Sequence, residues 1–204
     1  MSTLTIIGLQ TGLPRTLGTP GAAEPMDREW TTGFFKEPVA GVRQVRALGI
    51  EGDGQADLVN HGGPDKAINV YPSEHYAAWT EELGLTLQAG AFGENFTTTG
   101  MTEREVCVGD VFQCGELCLQ VSQPRQPCWK LARRWRIKDL AARQQHRMAE
   151  VACPSVRGEV HAEMRQNDFA SSLEQAPDDR PFAWTYLMRA VNVWVAKNCR
   201  VGMM

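Results

Sequence analysis

The chain has 204 residues, 43% of them hydrophobic and 22% charged, a size and composition suited to one soluble domain, or one domain with an appendage. Its formal net charge of −3 gives no overall attraction for nucleic acid, so any basic site must be local. No apolar run reaches the roughly eighteen residues of a membrane span, and the opening lacks the charged-then-apolar order of a signal peptide. These features point to a cytoplasmic protein with neither nucleic acid nor membrane as partner.

In chain order, "TLTIIGL" (3–9) reads as a strand, and residues 11–38, rich in Gly, Pro and Thr, as a long loop of a kind that often carries function. "VAGVRQVRALGI" (39–50) alternates partly, as a strand does, and "KAINVYP" (66–72) is a further strand. "SEHYAAWTEELG" (73–84) predicts a helix, with Ser73 as N-cap, an acidic first turn, Gly84 as terminator and Tyr76, Trp79 and Leu83 on one buried face. A glycine-rich loop and short strand follow at 91–101, then two strand-like runs around Gly115 that resemble a hairpin. "RQPCWKLARRWRIKDLAARQQ" starts in a proline-bounded turn and becomes helical. Residues 146–160 hold one or two weak strands, "SSLEQAPDDRP" is linker-like, and 182–198 is an apolar helix or strand. Many short strands with Gly and Pro turns and few helices favour a mainly β fold, a β-barrel or β-sandwich with α decoration.

Three stretches concentrate chemistry. In "HGGPDKA", Gly62 and Gly63 let backbone N–H groups approach a ligand, Lys66 adds a positive charge, Asp65 can accept hydrogen bonds from a nitrogen-rich ring, and His61 offers a proton carrier. A plain hairpin turn is the alternative at this point. In "GAFGENFTTTG", Asn95 supplies a donor and an acceptor beside Gly93, though a threonine-rich strand after a glycine turn reads the same way. In "VSQPRQPCWKL", Cys128 follows two prolines that fix its backbone. Gln123, Arg125, Lys130, Arg133 and Arg134 lie near in sequence, and such cations favour a thiolate, a soft-metal ligand or nucleophile. Lys36 and Arg15, in the long first loop, are further candidates. The six cysteines form no CxxC pair and no zinc spacing with the histidines, so disulfides are not expected in a reducing compartment and most of these residues read as small buried apolar side chains.

Taken together, "TTGFFKEPVAGVRQVRALGIEGDGQADLVNHGGPDKAINVYPSEHY", "GAFGENFTTTG" and "VCVGDVFQCGELCLQVSQPRQPCWKL" resemble the MOSC family, and within it the stand-alone bacterial YiiM-like type linked to resistance against hydroxylaminopurine. The resemblance runs from about residue 5 to 143. It implies a MOSC-type β-barrel, a molybdenum cofactor (molybdopterin), Cys128 as metal ligand and catalytic thiol, and His61 as a catalytic or cofactor contact. It implies a cofactor-binding set of Gly62, Gly63, Asp65, Lys66, Asn95, Gln123, Arg125 and Lys36. The implied reaction is reduction of a small N-hydroxylated base to the amine, with electrons from a separate reductase. The family pattern is lost after about residue 144. We therefore expect a MOSC-like core over 1–144 and a divergent, weakly ordered segment over 145–204, the result of divergence or of a frame change. The barrel would then be incomplete or altered at its C-terminal end, and an exposed sheet edge there would invite a homodimer. Two other readings of Cys128 are a cofactor- or sulfur-carrier module without turnover, and a cysteine hydrolase drawing on His61 or His75.

Overall fold

In the computed structural model, residues 5–102, 106–125, 127–148, 191–197 and 199–202 are described. Twelve strands and three α-helices make up these parts. The strands are β1 (Thr5–Thr11), β2 (Arg15–Leu17), β3 (Trp30–Thr32), β4 (Glu37–Pro38), β5 (Val42–Arg46), β6 (Gly49–Ile50), β7 (Ile68–Pro72), β8 (Phe96–Thr99), β9 (Val111–Cys114), β10 (Leu117–Pro124), β11 (Val191–Lys197) and β12 (Cys199–Gly202). The helices are α1 (Glu74–Leu83), α2 (Trp129–Trp135) and α3 (Leu140–Met148). Seven strands form one sheet in the order β4-β1-β8-β7-β11-β10-β9, three form a second, β12-β5-β6, and β2 pairs with β3. All pairings in the large sheet are antiparallel except β7 with β8. The fold is mainly β, as expected. Among the described residues, however, the large sheet runs open from β4 to β9 and no closed barrel forms.

Strand alternation divides the large sheet into two unlike faces. Leu9, Ile68, Val70, Phe96, Leu117, Leu119 and Val121 point to one side and bury themselves with Val45 and Ile50 of the three-stranded sheet. The residues between them, Gln10, Asn69, Tyr71, Thr97, Gln120 and Ser122, are also buried but mostly polar. A second core of Tyr71, Trp79, Phe92, Phe34, Leu131 and Leu140 packs α1, α2 and α3 on that side. Tyr71 stacks on Phe92 with centroids 4.3 Å apart and accepts a hydrogen bond from the Trp79 indole at 2.9 Å. The helices thus seal the Tyr71 end of the polar face with aromatic rings.

Helix α1 follows the expected periodicity, with Trp79 fully buried and Tyr76 and Leu83 packed beside it, and ends at left-handed Gly84. Ser73 makes no side-chain cap. The first-turn Glu74 instead accepts the N–H of Gly100 at 2.6 Å, fixing the helix to the end of β8. The long first loop is broken by β2, β3 and β4, and the helical stretch after Cys128 divides at Arg136, which is left-handed with φ 59°. The apolar C-terminal stretch is a strand over Val191–Lys197, and it lies between β7 and β10. That position and the pairing of β12 with β5 tie the end of the chain to the core sheets. Residues 149–190, which carry most of the expected weak order, lie outside the described residues.

Candidate functional site

A cavity of about 410 Å³, counted out to its open mouth, lies at the Asn69 end of the polar face. Loops, strand β7, the approach to β8, the end of β10 and helix α2 build it. The first loop, after β3, brings Thr32, Gly33, Phe34 and Lys36; the second, after β6, brings Gly54, Gln55 and Ala56. The two loops approach so closely that a Cβ on Gly33 would sit 2.1 Å from the Gly54 carbonyl oxygen. Lys36 and Asp53 bind them together by an ion pair in which both side chains are nearly inaccessible. The same Asp53 Oδ1 accepts the N–H of Gly12 at 2.9 Å, adding the end of β1 to the clasp. Burial lowers the Lys36 pKa from its ordinary value; Asp53 opposes the shift, and Arg125 adds to it.

The third loop holds the histidine. The Asp57 carboxylate accepts the N–H groups of Val59 and Asn60 and the Asn60 amide. These bonds, those to Asn60 foremost, hold Asp57 down at about 2. His61 follows, its N–H donating to the Asp57 carbonyl. The chain then turns through Gly63 at φ 97°, a conformation a side chain resists, into a 3-10 turn, Pro64–Lys66, that leads straight into β7. Ser122 of β10 donates to the Asp65 carbonyl at 2.5 Å and clips the turn to the sheet. His61 and Lys66 are thereby set on the cavity wall. Arg125 enters from the end of β10 and Lys130 from α2.

Four cations, Lys36, Lys66, Arg125 and Lys130, line this cavity, with no carboxylate among the described lining residues. Burial lowers the pKa of Arg125 and of Lys130, and Cys128 pulls both the other way. His61 is pushed down to about 4, first by burial and then by Arg125 and Lys130, so its imidazole is neutral at pH 7. Among the described residues of the wall, one buried group has no partner. The Asn69 side chain, on a residue 3% exposed, leaves both its Nδ2 and its Oδ1 without a hydrogen bond. Its backbone is paired with Asn95 in both directions.

Of the residues singled out in the sequence, Lys36, His61, Lys66, Gly93, Asn95, Arg125 and Lys130 line the cavity. The Asn95 amide is already engaged, accepting from Asn69 N and donating to the Gln10 carbonyl. Gly62, Gly63, Asp65 and Gln123 do not line it; the glycines shape the turn that places His61 and Lys66. Cys128 is a free, half-buried thiol at the start of α2, electrostatically linked to Arg125 and Lys130 but outside the wall itself. Cys114 and Cys118 are also free, whereas Cys107 is disulfide-bonded, against expectation. Arg15 lies over the Phe35 ring, and His75 packs edge-on against Tyr71; neither lines the cavity. Asn69 and Asp53 were not singled out. The alternation of "INVY", which puts Asn69 on the face opposite Ile68 and Val70, was the available signal for the first.

The family model of the MOSC domain matches residues 57–168, more than half of the chain. The chain belongs to the MOSC domain family. This MOSC protein is 46% identical over 113 residues to the protein YiiM of Escherichia coli, which covers 54% of this chain and 50% of that one. It is 37% identical over 112 residues to a protein named "Reductase" from Gibberella moniliformis, covering 53% of this chain and 20% of that one. Among solved structures it resembles YiiM from Geobacillus stearothermophilus, with a TM-score of 0.60 at 28% identity over 98% of this chain and 71% of that one. The chain spans about half to three fifths of the length of the curated relatives it matches first. No helix among the described residues is long and apolar enough to cross a membrane.

Proposed function

We propose that this MOSC protein holds a molybdenum cofactor of the molybdopterin type in the basic cavity and reduces N-hydroxylated bases, such as hydroxylaminopurine, to amines. One observation carries the reading: four cations and a neutral imidazole converge on a wall that has no carboxylate among its described residues, next to a free thiol. Lys66, Arg125 and Lys130 suit the cofactor's phosphate. The unpartnered Asn69 amide, with donors and an acceptor, suits the hydrogen-bonding edge of a pterin. Cys128 supplies a soft donor for the metal. Among the described residues no group of three or more His, Cys, Asp or Glu could hold an ion, so a metal here would bring most of its ligands with it, as a metal–pterin group does.

When bound, molybdenum supplies an electron pair by changing oxidation state. In the reaction the N–O bond breaks, two electrons enter, one proton goes to nitrogen and one to oxygen, and water leaves. The electrons come from a separate reductase. His61, neutral at pH 7, carries a hydrogen on one ring nitrogen and accepts one on the other, so it can pass a proton to the departing oxygen. The similarity to a protein named "Reductase" supports this class of chemistry. The test is molybdenum and pterin analysis of the isolated protein, followed by turnover of hydroxylaminopurine with an artificial reductant. Protein that carries the cofactor but turns nothing over is a carrier module, and protein that never acquires molybdenum overturns the proposal.

A further inference from the structure

The residue after Cys128 is an aromatic ring held in a fixed pose with half its surface bare. Trp129 is 51% exposed. Its ring lies against Trp30, centroids 5.1 Å apart at 57°. The Arg133 guanidinium sits 4.8 Å from the Trp30 centroid and 5.5 Å from that of Trp129, and is itself anchored to the Arg28 carbonyl. Phe35 backs Trp30 at 6.1 Å. A second, open cavity lies on the other side of Trp30, lined also by Phe35, Met26, Asp27, Arg133 and Arg136; Trp129 stands beside it, against Trp30, and is not part of its lining. The segment 30–35 therefore serves two cavities. Thr32, Gly33 and Phe34 face the basic one, while Trp30 and Phe35 face the aromatic one.

Scattered exposed apolar side chains need no explanation. Trp129 differs in being pinned by a second indole and a guanidinium, so little rotamer freedom remains to be lost when a flat ligand covers it. Base-on-aromatic stacking is tolerant of which base is present, because every base has a π-face.

We propose that Trp129, backed by Trp30 and Arg133, is the base-recognition surface of this enzyme: a planar N-hydroxylated heteroaromatic substrate stacks on Trp129 with its N–OH group toward Cys128. The proposal rests on the reductase reading for its chemistry but not for its binding. Trp129 takes no part in the electron and proton balance. It sets which N-hydroxy compounds are held, favouring flat heterocycles over small aliphatic ones.

Two measurements test it on the full chain. With cofactor-loaded protein, kcat/KM is compared for 6-hydroxylaminopurine and for hydroxyurea, a non-aromatic N-hydroxy compound. Trp129→Ala should lower the purine-to-hydroxyurea ratio roughly ten-fold or more, through KM, and Trp129→Phe should keep it within about three-fold. An equal loss on both compounds, or no loss, overturns the proposal. Independently of turnover, adenine should quench tryptophan fluorescence in the wild type and bind at least roughly ten-fold more weakly to Trp129→Ala. If the wild type reduces nothing yet this binding difference holds, the surface stands and the reductase reading falls. Unchanged adenine affinity in Trp129→Ala and Trp129→Phe, both folded by circular dichroism, sinks the surface whatever the turnover.

Discussion

Asp53→Asn isolates the clasp that closes the basic cavity. The Lys36 ammonium is on a residue 6% exposed, and its carboxylate partner is 1% exposed in its side chain. Removing one member of a buried pair strands the other charge, at a cost of about 3–5 kcal/mol. The substituted amide keeps an acceptor for the Gly12 N–H, so the loss is chiefly that of the charge partner. For a chain of this size about 2–4 °C accompanies each kcal/mol, so the melting temperature should fall by roughly 6–20 °C. The deficit should also depend on pH. Burial and Arg125 already lower Lys36 from its ordinary 10.5, and without Asp53 its folded pKa drops further while the unfolded lysine keeps the ordinary value. Between those two values the unfolded chain binds more protons, so stability rises with pH and the variant recovers part of its deficit between pH 7 and 10. Lys36→Met combined with Asp53→Asn leaves no stranded charge and should regain more than half of the loss. Urea denaturation followed by tryptophan fluorescence measures all three. A single variant within about 0.5 kcal/mol of the wild type, with no pH trend, would refute the clasp as the element holding the two loops.

His61 should bind its proton only near pH 4 in the folded protein, against 6.5 unfolded. Its contribution is therefore complete above about pH 6.5 and is lost as the pH falls toward 4; His61→Asn should flatten that slope in denaturation curves, and an NMR titration of His61 near 6.5 would contradict it. Cys128→Ser should abolish reductase activity, whereas Cys114→Ser and Cys118→Ala should keep most of it, as steady-state assays with an artificial reductant will report. Asn69→Ala removes an amide that makes no hydrogen bond within the chain, so stability should stay within about 1 kcal/mol while molybdenum content falls several-fold; a large loss of stability with normal metal content would reverse that assignment.

The elements that the sequence determined by itself are those whose reasons are local. Trp79 and its neighbours at three- and four-residue spacing specify α1, and Gly84 stops it, because both effects act within one or two turns. The hairpin around Gly115 and the strand that begins after "HGGPDK" are likewise matters of a few adjoining residues. The same holds for the MOSC motifs, which are runs of neighbours. What joins distant residues was decided only by tertiary structure. Strand β11 takes its place between β7 and β10, both far from it in sequence, since a strand's partner is chosen by which edge is open and which face is apolar, neither of which is written in its own residues. In sequence Lys36 is a cofactor-binding candidate or a solvated loop charge alike; only the fold brings Asp53 to it, and only then can burial cost less than it returns. Asn95 and Asn69 are interchangeable as asparagines in a sequence. The crossing of β1, β7 and β8 engages the first amide and leaves the second bare in the cavity wall, because hydrogen bonds between strands depend on three-dimensional register and not on residue type.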